Sequence, residues 1–206
     1  MVHFKDDWAR KFDIEESYVG EYFSNETSVE SRNFMYKHDN YFYKMIHDEV
    51  AYEIIAIPYS ARKDEPYPRF MVYLVPVKHE TDLSKVWDSF YAACNGDIPN
   101  FIKKQLYLRL VKLHIPKITE LKSVFDLKVL LDMVFINNTV NSSSKITTCL
   151  NIDESGTKEV VVPFSLFDIV DFDFGSITVK ANRPHLSFIF DMGIQRILFV
   201  VKDTGY

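Results

Sequence analysis

The chain has 206 residues, 47% hydrophobic and 15% aromatic, which is enough for one well-buried domain, and the whole span 1–206 is read as one. Its 24 basic and 29 acidic residues, a formal net charge of -5, are mixed along the chain; with no basic block to track a phosphate backbone, nucleic acid is excluded as an expected partner. The first residues, Met1-Val2-His3-Phe4-Lys5-Asp6-Asp7-Trp8, are charged where a signal peptide is apolar, and no apolar run reaches membrane-spanning length, so a cytoplasmic protein with no membrane partner is expected.

In chain order, residues 41–46, 50–57 and 70–75 are rich in β-branched and aromatic side chains and are separated by turn-prone pieces. They predict three strands of an antiparallel meander. Residues 81–91 open on a capping-type Thr81 or Asp82 and place Leu83, Val86, Trp87 and Phe90 at helical spacing, which predicts an amphipathic helix closed near Asn95-Gly96. A long strand is expected over 106–121, a short helix started by Asp126 over 126–133, and another strand over 146–152. Residues 154–182 are apolar and acidic without a helical stripe, and a loop of that length inside a compact domain points to function. The end of the chain predicts a hairpin of two fully buried strands, 186–190 and 197–201, joined through Asp191-Met192-Gly193.

Catalytic patterns are absent. Only six glycines occur, none within two residues of another, so no phosphate-cradling loop exists, and HExxH, GxSxG and an EF-hand loop are missing too. Cys94 and Cys149 stand alone, without CxxC spacing or a paired His, and read as buried free thiols rather than a disulfide framework or a zinc site. The six histidines are scattered, and no metal or cofactor is implied. Asp168, Asp171 and Asp173 alternate with Phe and Val, without the buried, fixed setting that shifts a carboxyl pKa, and read as a recognition sequence. The sequons at Asn25, Asn137 and Asn141 have no role in a cytoplasmic chain. Sparse Ala with plentiful Lys, Asn, Ile, Phe and Tyr is the bias of an AT-rich genome, which points to a virus or a parasite.

Six separated segments, in one order over nearly the whole chain, together resemble the serpin family. His3-Phe4-Lys5-Asp6-Asp7-Trp8 with Phe12-Asp13 resembles "YFKGxW…FD", and Ile57-Pro58-Tyr59 resembles "LPY". Ile115-Pro116-Lys117 with Asp126-Leu127-Lys128 resembles "LPKF…YDLK", and Ile152-Asp153-Glu154-Ser155-Gly156-Thr157 resembles the hinge "VDEEGT". Asn182-Arg183-Pro184-His185 resembles "DRPF", and Ile197-Leu198-Phe199 resembles the terminal "ILFxG". The resemblance implies an α+β fold of mostly antiparallel sheets with few helices, in which the second and third serpin sheets are kept and the main sheet is reduced. Trp8 is then the tryptophan at the top of the main sheet. A reactive loop occupies about 154–182, with hinge residues Glu154, Gly156, Thr157, Glu159 and Pro163. In the family that loop is bait for a protease and inserts into the main sheet after cleavage.

The family's loop length places the bait between Val170 and Asp173, and Asp168-Ile169-Val170-Asp171 reads as a site for proteases that cut after Asp, with Asp171 as the bait. This resembles the poxviral serpins directed at caspases and granzyme B; a solvated acidic loop is the alternative. The chain also departs from the pattern. The family's N-terminal helices and further main-sheet strands have no counterpart, 138–144 is short, Ile146 stands where a His is usual, and Val201 stands where the terminal Gly belongs. Period-two alternation turns Thr157, Glu159, Val161 and Pro163 inward on insertion. Burying Glu159 unpaired costs several kcal/mol, and Pro163 forfeits about 1 kcal/mol of net hydrogen bonding. Insertion is expected to stall. Two functions therefore stay open: an inhibitor of a host caspase or granzyme-like serine protease, or a non-inhibitory module that binds another host protein. The strand edges left open also allow an oligomer.

Overall fold

The computed structural model describes residues 6–25, 27–60, 68–126, 145–157 and 175–205, with the backbone alone for 119–126, 145–150 and 157. The fold is strand-rich with two helices among the described residues, in agreement with the α+β expectation. Its strands are β1 (Asp6–Asp7), β2 (Tyr18–Phe23), β3 (Val29–His47), β4 (Ala51–Pro58), β5 (Arg69–Pro76), β6 (Tyr107–Pro116), β7 (Ile118–Asp126), β8 (Lys145–Ile152), β9 (Gly156–Thr157), β10 (Ile177–Lys180), β11 (His185–Asp191) and β12 (Arg196–Asp203). The helices are α1 (Leu83–Cys94) and α2 (Ile98–Gln105).

An eight-stranded sheet runs in the order β10-β6-β3-β4-β5-β11-β12, with β2 added on β3. All its pairs are antiparallel except β10 on β6. The predicted meander is β3-β4-β5, with Phe42 opposite Ala56 and Ile57 opposite Met71. Strand β3 is far longer than its predicted 41–46. Its first half carries Glu30, Arg32, Lys37 and Asp39, polar residues that hid the strand, and it holds β2 on one side and β6 on the other.

Central strands are buried on both faces, and the side-chain period of two sorts them. Tyr52, Ile54, Ala56, Phe70, Val72, Leu74 and Phe188 point towards the helices. Ile55, Ile57, Met71, Tyr73, Val75 and Ile189 point the other way, into a core with Trp8 and Phe12. Helix α1 follows the predicted spacing, with Leu83, Val86, Phe90 and Cys94 buried. The Asp82 carboxylate accepts from Ser84 N at 2.9 Å to cap its start, and Asn95, at φ 48°, closes it in the left-handed conformation. Cys94 is a buried free thiol, pushed up to about 12 by burial and then by Asp97; Cys149 falls where only the backbone is described.

Four expectations change. The strand foreseen over 106–121 is two, because Pro116 ends β6 and Lys117 turns to donate its N–H to Asn33 O at 2.8 Å before β7 begins in a different sheet. Asp126, foreseen as a helix cap, is the last residue of β7, and the remainder of that helix, 127–133, lies outside the described residues. In the terminal hairpin β11 is buried throughout, whereas β12, which among the described residues pairs with β11 alone, buries Val201 alone. The described ends of the 154–182 stretch are ordered into the fold rather than left as loop. Glu154 is buried, Gly156–Thr157 is strand β9, and Ile177–Lys180 is strand β10 with Val179 and Ala181 fully buried.

Candidate functional site: the turn before β9

Strand β8 ends at Ile152, and the chain then turns through Asp153-Glu154-Ser155-Gly156. Gly156 N donates to Asp153 O at 3.1 Å and Asp153 N to Gly156 O at 3.3 Å, while Ser155 N bonds the Asp153 carboxylate at 2.8 Å. The turn sends β9 along β1, antiparallel, with Asp7 opposite Gly156 and Asp6 opposite Thr157. Gly156 has φ +111°, and a Cβ there would lie 2.5 Å from Asp6 O and 2.6 Å from Trp8 N. Only glycine lets the two backbones approach this closely.

Trp8 fixes the turn from the other side. Its indole N–H donates to Asp153 O at 2.8 Å and its backbone N–H to Ser155 O at 3.1 Å. Its ring stacks on Tyr59 at 4.7 Å, with Phe12 edge-on at 6.0 Å. Trp8 is 1% exposed, so the residue expected at the sheet top is a buried post joining β1, the Pro58-Tyr59 corner and the turn.

The buried Glu154 carboxylate pairs with Lys117 and accepts from the Ser17 hydroxyl, and its backbone carbonyl accepts from Phe12 N at 3.0 Å. Burial opposes its charge, but Lys117 and Ser17 outweigh burial and hold the carboxyl below its ordinary value. Beneath β1, Arg69 donates to Asp6 at 2.5 Å and to Asp191 at 2.8 Å, all three buried. This is a triad that ties β1 to the large sheet.

The structure thus brings together Trp8, Glu154 and Gly156 of the foreseen residues, with the Thr157 backbone. Glu159, Pro163, Val170, Asp171 and Asp173 lie outside the described residues. Sequence reasoning missed Lys117, Ser17 and the Asp6–Arg69–Asp191 triad. Lys117 sat inside a quoted motif without a role, and for Ser17 and Arg69 only the tertiary fold supplies the signal. Among the described residues no group of three or more His, Cys, Asp or Glu is placed to hold a metal ion, and no helix is long and apolar enough to cross a membrane.

The Serpin (serine protease inhibitor) family model matches residues 1–202. Among solved structures, the chain is similar to human thyroxine-binding globulin at TM-score 0.73 and 20% identity, covering 98% of this chain and 54% of that one. It is similar to maspin at TM-score 0.75 and 19% identity, covering 98% and 55%. A serpin from the trematode Schistosoma haematobium gives TM-score 0.74 and 18% identity with the same coverage, 98% and 55%. At such identities these likenesses concern the fold. The chain spans about half the length of these structures. No curated protein matches the sequence. Match to the family over residues 1–202, on a fold its solved members share, establishes that the chain belongs to the serpin family.

Proposed function

We propose that this serpin is a virus-encoded member of the protease-inhibitor type, acting in the cytoplasm of a host cell as a single domain without catalytic machinery. Its target is a caspase or granzyme-like serine protease, its bait is Asp171 flanked by Val170 and Asp173, and loop insertion is impaired or lost. The observation that carries the reading is the hinge. The Glu154–Gly156 turn, held by Trp8 and Lys117, starts β9 on β1, while β10 fixes the far end of the stretch on β6. A segment held at both ends is the arrangement that presents bait.

The test is incubation of the purified protein with caspases, granzyme B and trypsin-like proteases, read on a denaturing gel. A covalent band lost in Asp171→Ala is the expected result for an inhibitor, and cleavage without such a band overturns trapping. A second reading, a non-inhibitory module that binds a host protein through the retained sheets, is favoured by one observation. Among the described residues the strand pairs β1–β9 and β7–β8 are each two strands wide.

A further inference from the structure

One side of the β10-β6-β3 portion of the large sheet is core, formed by Met35, Val111, Leu113, Ile115 and Val179. Among the described residues the other side is open. There Lys112 of β6 lies opposite His38 of β3 and Thr178 of β10, and His114 lies opposite Tyr36 and Lys180. Leu108 and Leu110, 37% and 40% exposed, extend the same side towards the start of β6. At its other end Tyr18 stacks on Phe34 at 5.6 Å and its hydroxyl meets His114 Nδ1 at 2.8 Å.

The charge on this side is one-signed although the chain carries a net -5. The outward positions of β3 from Phe34 to Lys44, of β6 from Leu108 to Pro116, and of β10 include no Asp or Glu. Among the described residues neither Lys112 nor Lys180 has a carboxylate partner. His114, lowered to about 4 by burial and then by Lys180, stays neutral at physiological pH, so the positive charge belongs to the lysines, both exposed. Two free ammonium groups among half-exposed Leu and Tyr form a mixed apolar and cationic surface, the composition of a protein interface rather than of a polyanion track. The absence of arginine on these positions also argues against phosphate or sulfate recognition, which favours the guanidinium fork.

We propose that the outer face of β6, β3 and β10 is a docking surface for an acidic polypeptide segment that carries Leu or Tyr between its carboxylates. The carboxylates pair with Lys112 and Lys180, and the apolar side chains cover Leu108, Leu110 and Tyr36. The inference is independent of whether the 158–174 stretch is ever cut.

The test uses the full chain, 15N-labelled, with three probes: a synthetic nonapeptide alternating Glu with Leu and Tyr, the same peptide with Lys for Glu, and a sulfated oligosaccharide of equal charge. The Glu peptide is expected to shift the amides of Asn40, Leu110, Lys112 and Lys180. The double variant K112E/K180E should weaken it about tenfold or more, K112Q/K180Q less, and L110S should weaken it without changing its salt dependence. The proposal is overturned if those amides do not move, if the Lys peptide binds as well, or if the variants bind like the parent. Binding of the oligosaccharide in place of the peptide overturns it too, because the face is then a polyanion site.

Discussion

At Gly156 the φ of +111° and the Asp6 carbonyl leave no room for a side chain. The contacts a Cβ would make are with backbone atoms of β1, which cannot rotate aside. Gly156→Ala should therefore unseat β9 from β1 and cost about 2 kcal/mol or more, read as a lower urea midpoint with faster amide exchange at Asp7. The Glu154 carboxylate makes a different kind of claim. Its folded pKa is depressed, so its contribution is in place above the ordinary value of 4.5 and is lost as pH falls through the folded value. Glu154→Gln should be less stable than the parent by about 1–2 kcal/mol at pH 7, and the two stability curves should converge in acid. If the gap stays constant down to acid pH, the Lys117 pair is not what stabilises the turn.

His185 stands where the family motif has Phe, and it pays for its polarity. The ring is fully buried between Tyr22 and Tyr73, Nδ1 meets Arg183 O at 2.7 Å, and Nε2 has no hydrogen-bond partner among the described residues. Burial lowers its pKa below 6.5, against Asp203 and the bond to Arg183 O, and Arg32 pushes the same way as burial. A depressed histidine leaves stability whole above 6.5 and erodes it below, as the unfolded chain takes up the proton first, by at most about 1.4 kcal/mol per pH unit. His185→Phe should flatten that slope below pH 6.5 in urea titrations. An unchanged slope would place the acid sensitivity elsewhere.

Among the elements, α1 was legible because its apolar residues keep one helical stripe and its ends carry their own caps, Asp82 and Asn95. Helix α2 was not foreseen, because eight residues with Pro99 near the start give too short a periodic stretch to show a helical stripe, although Asp97 caps it through Asn100 N at 3.0 Å. The first half of β3 was hidden for the opposite reason: its polar residues are tolerated because β2 and β6 supply its hydrogen bonds, and nothing local announces those partners. Where α1, α2 and the sheet meet, Phe90 is fully buried, edge-on to Phe101 at 5.7 Å and 5.4 Å from Phe188. Phe90→Ala should cost about 3–5 kcal/mol, whereas Tyr91→Ala, at a position 55% exposed, should stay within about 0.5 kcal/mol. Equal losses would mean that the helix pair does not pack on the sheet as described.

For the whole molecule, the turn at Asp153–Gly156 was legible from a short motif because glycine, the turn and the tryptophan are all local to their segments. The supports of that turn, Lys117, Ser17 and the Arg69 triad, come from four other places in the chain and only the fold assembles them. The same assembly bears on insertion. A strand entering the main sheet gains from hydrogen bonds on both sides, and about eight net bonds at about 1 kcal/mol each would raise the melting temperature of a chain this size by well over 10 °C. Among the described residues β9 pairs with β1 over two residues, and β7–β8 is a separate pair. An inserted strand would moreover have to carry Glu159 and Pro163 past Thr157, one an unpaired charge and the other lacking an N–H. Cutting the chain between Thr157 and Gly175 should therefore leave the melting temperature within about 3 °C of the intact protein, the change that one or so kcal/mol produces. Differential scanning calorimetry before and after limited proteolysis measures it directly. A rise above about 10 °C would mean that the reduced sheet still accepts its strand, and the chain would then have to be treated as a working trap.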